Sequence, residues 1–263
     1  MTRQNYYARR KERRRREVNE ALVATLVLEE RRVQPRLGGR KLHFLFKGVL
    51  AGAGVVLGRD RFFEVLRGQG LLLEPKLAEY PCTTDSHHSL PVFANLVEGL
   101  EVTKCNEVWV ADLTFVRTEE GFLYLALITD KKSRKIVGHY CGETLGTEGC
   151  LAALTIALKG LAKGDKPKHH SDRGTQYCCH AYVKRLTDEG LAISMTQTNH
   201  CAENALAERM NGILKSEYGL GAEFKAKVVA REAVEQGVYL YNTRRPHTAL
   251  GYRTPEEVHS EGR

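Results

Sequence analysis

Three apolar runs in close succession constrain this chain most: residues 108–116, 122–128 and 136–140. Each is rich in β-branched and aromatic residues and too short for an ordinary helix. Gly121 opens the second, and the basic turn Lys131-Lys132-Ser133-Arg134-Lys135 precedes the third. This pattern predicts a meander of three strands. Behind it the periodicity predicts a helix over 147–161, a strand over 166–169, a helix over 176–189, a strand over 191–195, and helices over 202–218 and 225–241. Strands first, then helices and strands in alternation, indicate an α/β domain with a mixed sheet and flanking helices. With 263 residues, 42% of them apolar, the chain can bury such a core and still carry a smaller module.

That module is expected at the front. The run Arg9-Arg10-Lys11-Glu12-Arg13-Arg14-Arg15-Arg16 leads into Val18, Ala21, Leu22 and Leu26 at helical spacing, widened by Val23, Val27 and Leu28. An amphipathic helix to about Arg32 follows, ended by Pro35 and Gly38-Gly39. A second helix is expected over 41–50. A third is expected over 59–66, entered through Gly58-Arg59-Asp60-Arg61, with Phe62, Phe63 and Leu66 buried. Three short helices suit a helix-turn-helix and equally a generic helical packing unit. Pro75, Pro81 and Pro91 and the polar run Thr83-Thr84-Asp85-Ser86-His87-His88 mark a linker. The expected organisation is a basic helical, helix-turn-helix-like region over 1–74, a linker over 75–105, and the α/β body with a C-terminal helix and tail over 106–263.

Charge follows the same division. The net formal charge is +8, and residues 1–80 hold 18 Lys or Arg against 9 Asp or Glu, so the body is nearly neutral. A basic front suits a polyanion such as nucleic acid, although charge alone would also suit an anionic membrane surface. The seven cysteines form no C-x-x-C pair, which argues against a disulfide framework or a zinc knuckle. The Arg-rich N-terminus has no apolar stretch of signal-peptide type, and no uninterrupted apolar run is long enough for a membrane span. A reducing, cytoplasmic setting is therefore expected.

Three carboxylates draw attention within the body. Asp112 falls inside the first strand run, where an ionised side chain is costly unless something pairs with it. Most strand aspartates simply face solvent. Asp172, in His170-Ser171-Asp172-Arg173-Gly174-Thr175-Gln176-Tyr177, follows a short strand and precedes a helix, a place where α/β sheets commonly bind ligands. A helix cap is an equally good reading of that residue alone. Asn204, Glu208, Asn211 and Lys215 are spaced four, three and four apart on one helix face. Such a stripe is usually a wet face, but a carboxylate, two amides and a lysine also form a set suited to a metal and a phosphate. The chemistry that calls for three carboxylates together is phosphoryl transfer with divalent ions, and oxygen ligands suit Mg²⁺. Without an ion the acids would repel one another, raising the proton affinity of at least one.

These residues resemble the integrase-core (DDE-type) transposases encoded by the second reading frame of bacterial insertion sequences with two overlapping frames, relatives of retroviral integrases. The resemblance rests on Val108-Trp109-Val110-Ala111-Asp112-Leu113-Thr114, Gly121-Phe122-Leu123-Tyr124-Leu125, Ser133-Arg134-Lys135-Ile136-Val137-Gly138, the segment around Asp172, Asn204-Ala205-Leu206-Ala207-Glu208, and Tyr241-Asn242-Thr243-Arg244-Arg245-Pro246-His247-Thr248-Ala249-Leu250-Gly251-Tyr252. Thirty-five residues separate Asp172 from Glu208, the spacing found in that family, and Lys215 comes seven after Glu208, where the family carries a basic residue. The match favours Glu208 over Glu203 and Glu217 on the same expected helix. At the front, Arg3-Gln4-Asn5-Tyr6-Tyr7 and Gly58-Arg59-Asp60-Arg61-Phe62-Phe63 are similar too. The chain departs from the family at Glu203 and in the loop Gln197-Thr198-Asn199-His200-Cys201.

The resemblance implies a ribonuclease-H-like fold preceded by a small all-helical DNA-binding region. It implies catalytic and metal-binding roles for Asp112, Asp172 and Glu208, and two Mg²⁺ ions for which Mn²⁺ can substitute. The implied partners are double-stranded DNA at element ends and target, further copies of the chain on DNA, and an upstream-frame product fused to it. Lys215, Asn204, Asn211, Arg13, Arg14, Arg15, Arg16, Arg59, Arg61 and Arg245 are the candidate DNA contacts; Arg245 and His247 are equally suited to supporting the final helix. A catalytically inactive DNA-binding regulator, and a ribonuclease-H-like nuclease without strand joining, remain as alternatives at this point.

Overall fold

A computed structural model describes residues 3–73, 89–197 and 204–262. The chain divides into two compact units, Met1–Leu77 and Ala78–Arg263. Within the first, α1 (Arg3–Val33), α2 (Gly39–Gly52) and α3 (Arg59–Gly68) enclose a core of Val23, Val27, Leu37, Leu42, Phe46, Leu50, Phe62, Val65 and Leu66. The buried stripe of α1 runs through Val23, Val27 and Glu30 rather than through Val18 and Ala21, and Val18 is 67% exposed. The reason is which face α3 meets: Arg61 of α3 pairs with Glu20, and Val23 and Val27 fall on the side turned to α2 and α3 while Ala21 turns away. Phe63 is only half-buried, with Val65 in its place in the core, but its ring lies against Gly39, where a Cβ would come within 2.9 Å of it.

The second unit is built on a six-stranded mixed sheet. Its strands are β1 (Val108–Thr118), β2 (Gly121–Asp130), β3 (Ile136–Gly142), β4 (Lys168–Ser171), β5 (Ile193–Met195) and the short β6 (Glu223–Phe224). The order is β3-β2-β1-β4-β5, with β6 also on β1. The predicted meander is present as two antiparallel ladders, and β1 continues through parallel pairing to β4 and β6. Around the sheet lie α4 (Thr147–Lys159), α5 (Thr175–Cys178), α6 (His180–Asp188), α7 (Ala205–Glu217), α8 (Lys227–Thr243) and α9 (Pro255–Glu261). Trp109, Ala111, Ala126 and Ile128 pack with residues of α4 and α6 in one core, whereas Val108 and Val110 pack with Ala207 of α7 in another. These two sets alternate along β1, as strand geometry requires. Gly138 lets α4 approach β3, since a Cβ there would run into the Ala153 carbonyl oxygen.

Several expectations change in detail. The helix expected over 176–189 is two, because Cys179 adopts extended backbone between α5 and α6. The two-residue β6 and the short α9 had no periodicity long enough to reveal them; α9 starts from a capping box of Thr254 and Glu257 with Pro255 in its first turn. Of the expected linker, residues 75–88, with Pro75, Pro81, His87 and His88, lie outside the described residues. Its later part is docked rather than free: Leu90 and Phe93 pack on one core, and Val97, Leu100 and Val102 on the other. The expected helix start at Ala202, together with Cys201 and Glu203, also lies outside the described residues. No described helix is long and apolar enough to cross a membrane.

The motif at 241–252 is a structural joint. The Asn242 side chain donates to the Ile136 carbonyl and accepts from the Ile136 amide, both at 3.0 Å, acting as a strand partner for β3. Tyr241 donates to the Arg134 carbonyl at 2.9 Å. Arg245, buried apart from 5% of its side chain, makes a bidentate pair with Glu217 through two 2.8 Å bonds. A DNA contact by Arg245 therefore gives way to an internal tie between the end of α7 and the segment after α8. Removing one partner of a buried pair leaves the other charge uncompensated. Arg245→Ala is expected to lower the unfolding free energy by about 3 kcal/mol, read from urea denaturation.

Candidate active site

Asp112 sits near the middle of β1, on the side that faces α7. Its carboxylate is held at both oxygens: Oδ1 accepts the Leu113 amide at 2.9 Å, and Oδ2 accepts the Asn211 side-chain amide at 2.6 Å. Burial, then the charge of Asp172, then that of Glu208 raise its pKa from 3.8 to about 7, against the opposing effect of those two hydrogen bonds. The strand therefore presents a carboxyl group whose charge the fold itself does not neutralise.

Asp172 emerges just past β4, the strand parallel to β1 and beside it. It does not cap a helix: Gly174 is the N-cap of α5, and Asp172 Oδ1 instead accepts the Gly174 amide at 2.9 Å. Gly174 permits this close turn, since a Cβ there would lie 3.0 Å from that same oxygen. Arg173 anchors the other side by donating to the Thr196 carbonyl at 2.7 Å. Glu208 lies in the first turn of α7 and is exposed. The three acids thus come from a central strand, the end of its neighbour and a helix across one face, and Asp112 feels the other two charges.

The polar stripe on α7 splits into two roles. Asn204 and Asn211 are buried, with Asn204 donating to the Ala111 carbonyl at 3.2 Å and Asn211 to Asp112. Their amides serve β1 from one helix face, so the DNA contacts expected of them are replaced by contacts within the protein. Sequence spacing groups these residues correctly but does not tell which way the group faces. Lys215 places its ammonium 4.2 Å from the centre of the Phe115 ring, and burial lowers its pKa while Asp112 opposes that shift. Phe115 has no sequence signal beyond strand propensity.

Other candidates recede. His170 is buried and bonded to Ser194, and Ser171 turns to the Asp172 carbonyl, so they form no catalytic pair. The buried Cys178 thiol lies against Met195. In the helical unit, Arg13 pairs with Glu17, Arg59 with Asp60, and Arg61 with Glu20 and Glu64, all at the surface. The side chains of Arg14 and Arg15 lie outside the described residues.

Among the described residues, Cys105, Asp130 and His259 bring ligand atoms within 4.8 Å of one another, closer than the acidic trio does. Asp130 is nevertheless engaged throughout: Oδ1 accepts the Ser133 amide and hydroxyl, and Oδ2 accepts the Asn106 amide. Burial opposes its ionisation, and the bonds from His259, Ser133 and Asn106 outweigh burial to hold its pKa below the ordinary value. That cluster fastens α9 to the sheet. Asp112, Asp172 and Glu208 instead offer only oxygen donors, with the charges of two raising the pKa of the third, and this set fits a hard divalent cation.

Comparison with known proteins bears on the same region. Integrase core domain models match residues 102–201 and 189–255. The insertion element IS600 uncharacterized 31 kDa protein of Shigella sonnei is 36% identical over 246 residues, covering 92% of this chain and 88% of that protein. Transposase InsF for insertion sequence IS3A of Escherichia coli K12 is 32% identical over 198 residues, covering 74% of this chain and 68% of that protein. A chain in the cryoEM structure of the simian T-cell lymphotropic virus intasome in complex with PP2A regulatory subunit B56 gamma superposes with a TM-score of 0.52 at 16% identity, covering 84% of this chain and 74% of that one. The sheet is accordingly ribonuclease-H-like. The family match across the whole sheet, joined to sequence identity with insertion-sequence proteins along most of the chain, means that this protein belongs to the integrase-core transposases of bacterial insertion sequences.

Proposed function

We propose that this transposase, a polynucleotidyl transferase of the DDE type, uses Asp112, Asp172 and Glu208 as its catalytic acids to cut DNA at element ends and join the exposed 3′-hydroxyl to a target strand. The observation that carries the assignment is the shared electrostatic environment of the three carboxylates, with Asp112 pushed up to about 7 by burial and by its two neighbours. The trio would hold divalent metal, Mg²⁺ in two copies, which when bound supplies charge stabilisation to the phosphodiester and activates the attacking oxygen. Asn211 and the Leu113 amide fix the Asp112 carboxylate in orientation. Gly174 and Arg173 do the same for the turn that carries Asp172.

In the first step water attacks phosphorus and the 3′-oxygen leaves. In the second that 3′-hydroxyl attacks a target phosphodiester and a new 3′-oxygen leaves. One set of acids serves both because only the nucleophile changes, and no covalent protein intermediate is needed. Lys215, beside Asp112, is suited to a phosphate of the bound strand. The basic helical unit supplies further phosphate contacts through the Arg13–Arg16 run, with Arg59 and Arg61 as contributors once their surface pairs open. The protein acts as several copies on DNA, as the second-frame product of its element, and in fusion with the upstream-frame product.

Asp172→Asn is expected to reduce Mg²⁺-dependent cleavage of labelled end DNA by more than about 100-fold, since disturbing even an outer partner of a metal ligand reaches that range. Undiminished cleavage by a clean preparation of that variant would remove the proposal. Asp112 gives a pH signature in metal-free protein. Its folded pKa is raised, so the folded state holds a proton that the unfolded state has lost, and stability declines as pH rises from about 4 to about 7. Asp112→Asn should therefore raise the Tm at pH 8, with the gain shrinking as pH falls through 7 toward 4. Replacing Arg13 and Arg16 together with Gln should lessen the slope of log affinity for DNA against log salt by about 2, one for each phosphate that the protein no longer neutralises.

A further inference from the structure

Phe115 lies three residues beyond Asp112 on β1, and strand alternation sends the two side chains to opposite faces. Asp112 turns to α7. Trp109, Ala111 and Leu113 share the Phe115 side and belong to the core on the other face. Among the described residues, β4 pairs with one edge of β1 as far as Val110 and β6 joins it at Arg117, with Asn204 bonded to the Ala111 carbonyl between them. Lys215, although carried by α7, has its ammonium over the Phe115 ring. The Arg117 guanidinium lies 5.8 Å from the same ring.

The ring itself is fixed. Phe122 meets it edge-on, with centroids 5.7 Å apart and planes at 89°. Phe122 is 51% exposed and Phe115 is only half-buried, so the pair stands at the rim of the sheet rather than in its core. An aromatic face attracts an ammonium through its quadrupole without adding a formal negative charge. A carboxylate in the same place would neutralise the lysine and add to the repulsion at Asp112. The ring constrains a long, flexible side chain without placing a further carboxylate beside Asp112.

We propose that Phe115 is a positioning residue for DNA handling: its ring holds the Lys215 ammonium beside Asp112, where the cation meets a phosphate of bound DNA. This rests on the active-site reading given above, and its test does not require cleavage. The full chain is titrated with a fluorescein-labelled duplex carrying the DNA that borders this reading frame. Phe115→Leu should weaken binding about fivefold, the size of an exposed to partly desolvated cation–π contact. Phe115→Tyr should bind like the wild type.

In a Lys215→Ala background, Phe115→Leu should have no further effect, because the partner it positions is gone. With cleavage as the readout, KM should rise by a similar factor while kcat stays nearly constant. Should Phe115→Leu fail to fold, 3,4,5-trifluorophenylalanine at the same position keeps the shape and empties the ring quadrupole. Affinity should then fall with the Tm unchanged. An equal loss from Phe115→Leu with and without Lys215, or unchanged affinity on fluorination, overturns the proposal. Binding that follows the expected pattern in a protein that does not cleave would instead overturn the active-site reading and leave this one standing.

Discussion

An ionisable carboxyl group in the middle of the central strand is the constraint on which the rest of the catalytic unit depends. β1 lies inside the sheet and is packed on both faces, so Asp112 cannot escape to bulk water as a residue on an outer strand would. Its cost is reduced by one backbone amide and one side-chain amide and increased by two neighbouring acids. A fold that tolerates this arrangement stores a demand for positive charge at one point. The surroundings are arranged accordingly: β4 stops early enough for Asp172 to leave the sheet beside β1, and α7 crosses with Asn211 inward and Glu208 outward.

Rigidity around that point comes from bonds between elements distant in sequence. Asn242 completes the hydrogen bonding of β3 at Ile136, and Arg245 ties the end of α7 to the chain beyond α8. Asp130, Ser133 and His259 fasten α9 to the turn between β2 and β3. These buried polar contacts are highly directional, so breaking any one leaves an unpaired group inside the protein. They keep α7 and the sheet in register, which is what positions an amide on α7 against a carboxylate on β1. The metal-like convergence of Cys105, Asp130 and His259 belongs to this fastening and contrasts with the wider acidic trio, in which two acids raise the pKa of the third.

Membership of a transposase family gives the acidic trio its meaning. Phosphoryl transfer needs cationic stabilisation of developing charge, and a divalent ion held by oxygen donors would supply it without any residue acting as a covalent nucleophile. Lys215, its ammonium over the Phe115 ring, lies close enough to Asp112 for that charge to raise its pKa. The helical unit carries a different kind of positive charge. Arg13, Arg59 and Arg61 are exposed and pair with surface carboxylates, which suits contacts that position a polyanion without reading it.

The sequence by itself determined the strand meander, the α/β order, the basic front and the family, because each is written in local periodicity, charge or fixed spacing. Through the family resemblance it also proposed three acids, with 35 residues between Asp172 and Glu208 and a strand around Asp112. Only tertiary structure decided which side of a polar stripe faces inward. Asn204 and Asn211 were legible as a group with Glu208, but their turn toward β1 depends on where α7 crosses the sheet. Arg245 looked like a DNA contact until Glu217 came to meet it from another helix. Phe115 carried no mark at all, since its contact with Lys215 joins two residues about a hundred positions apart on different elements. Such pairings follow from packing of the whole sheet, and no local pattern encodes them.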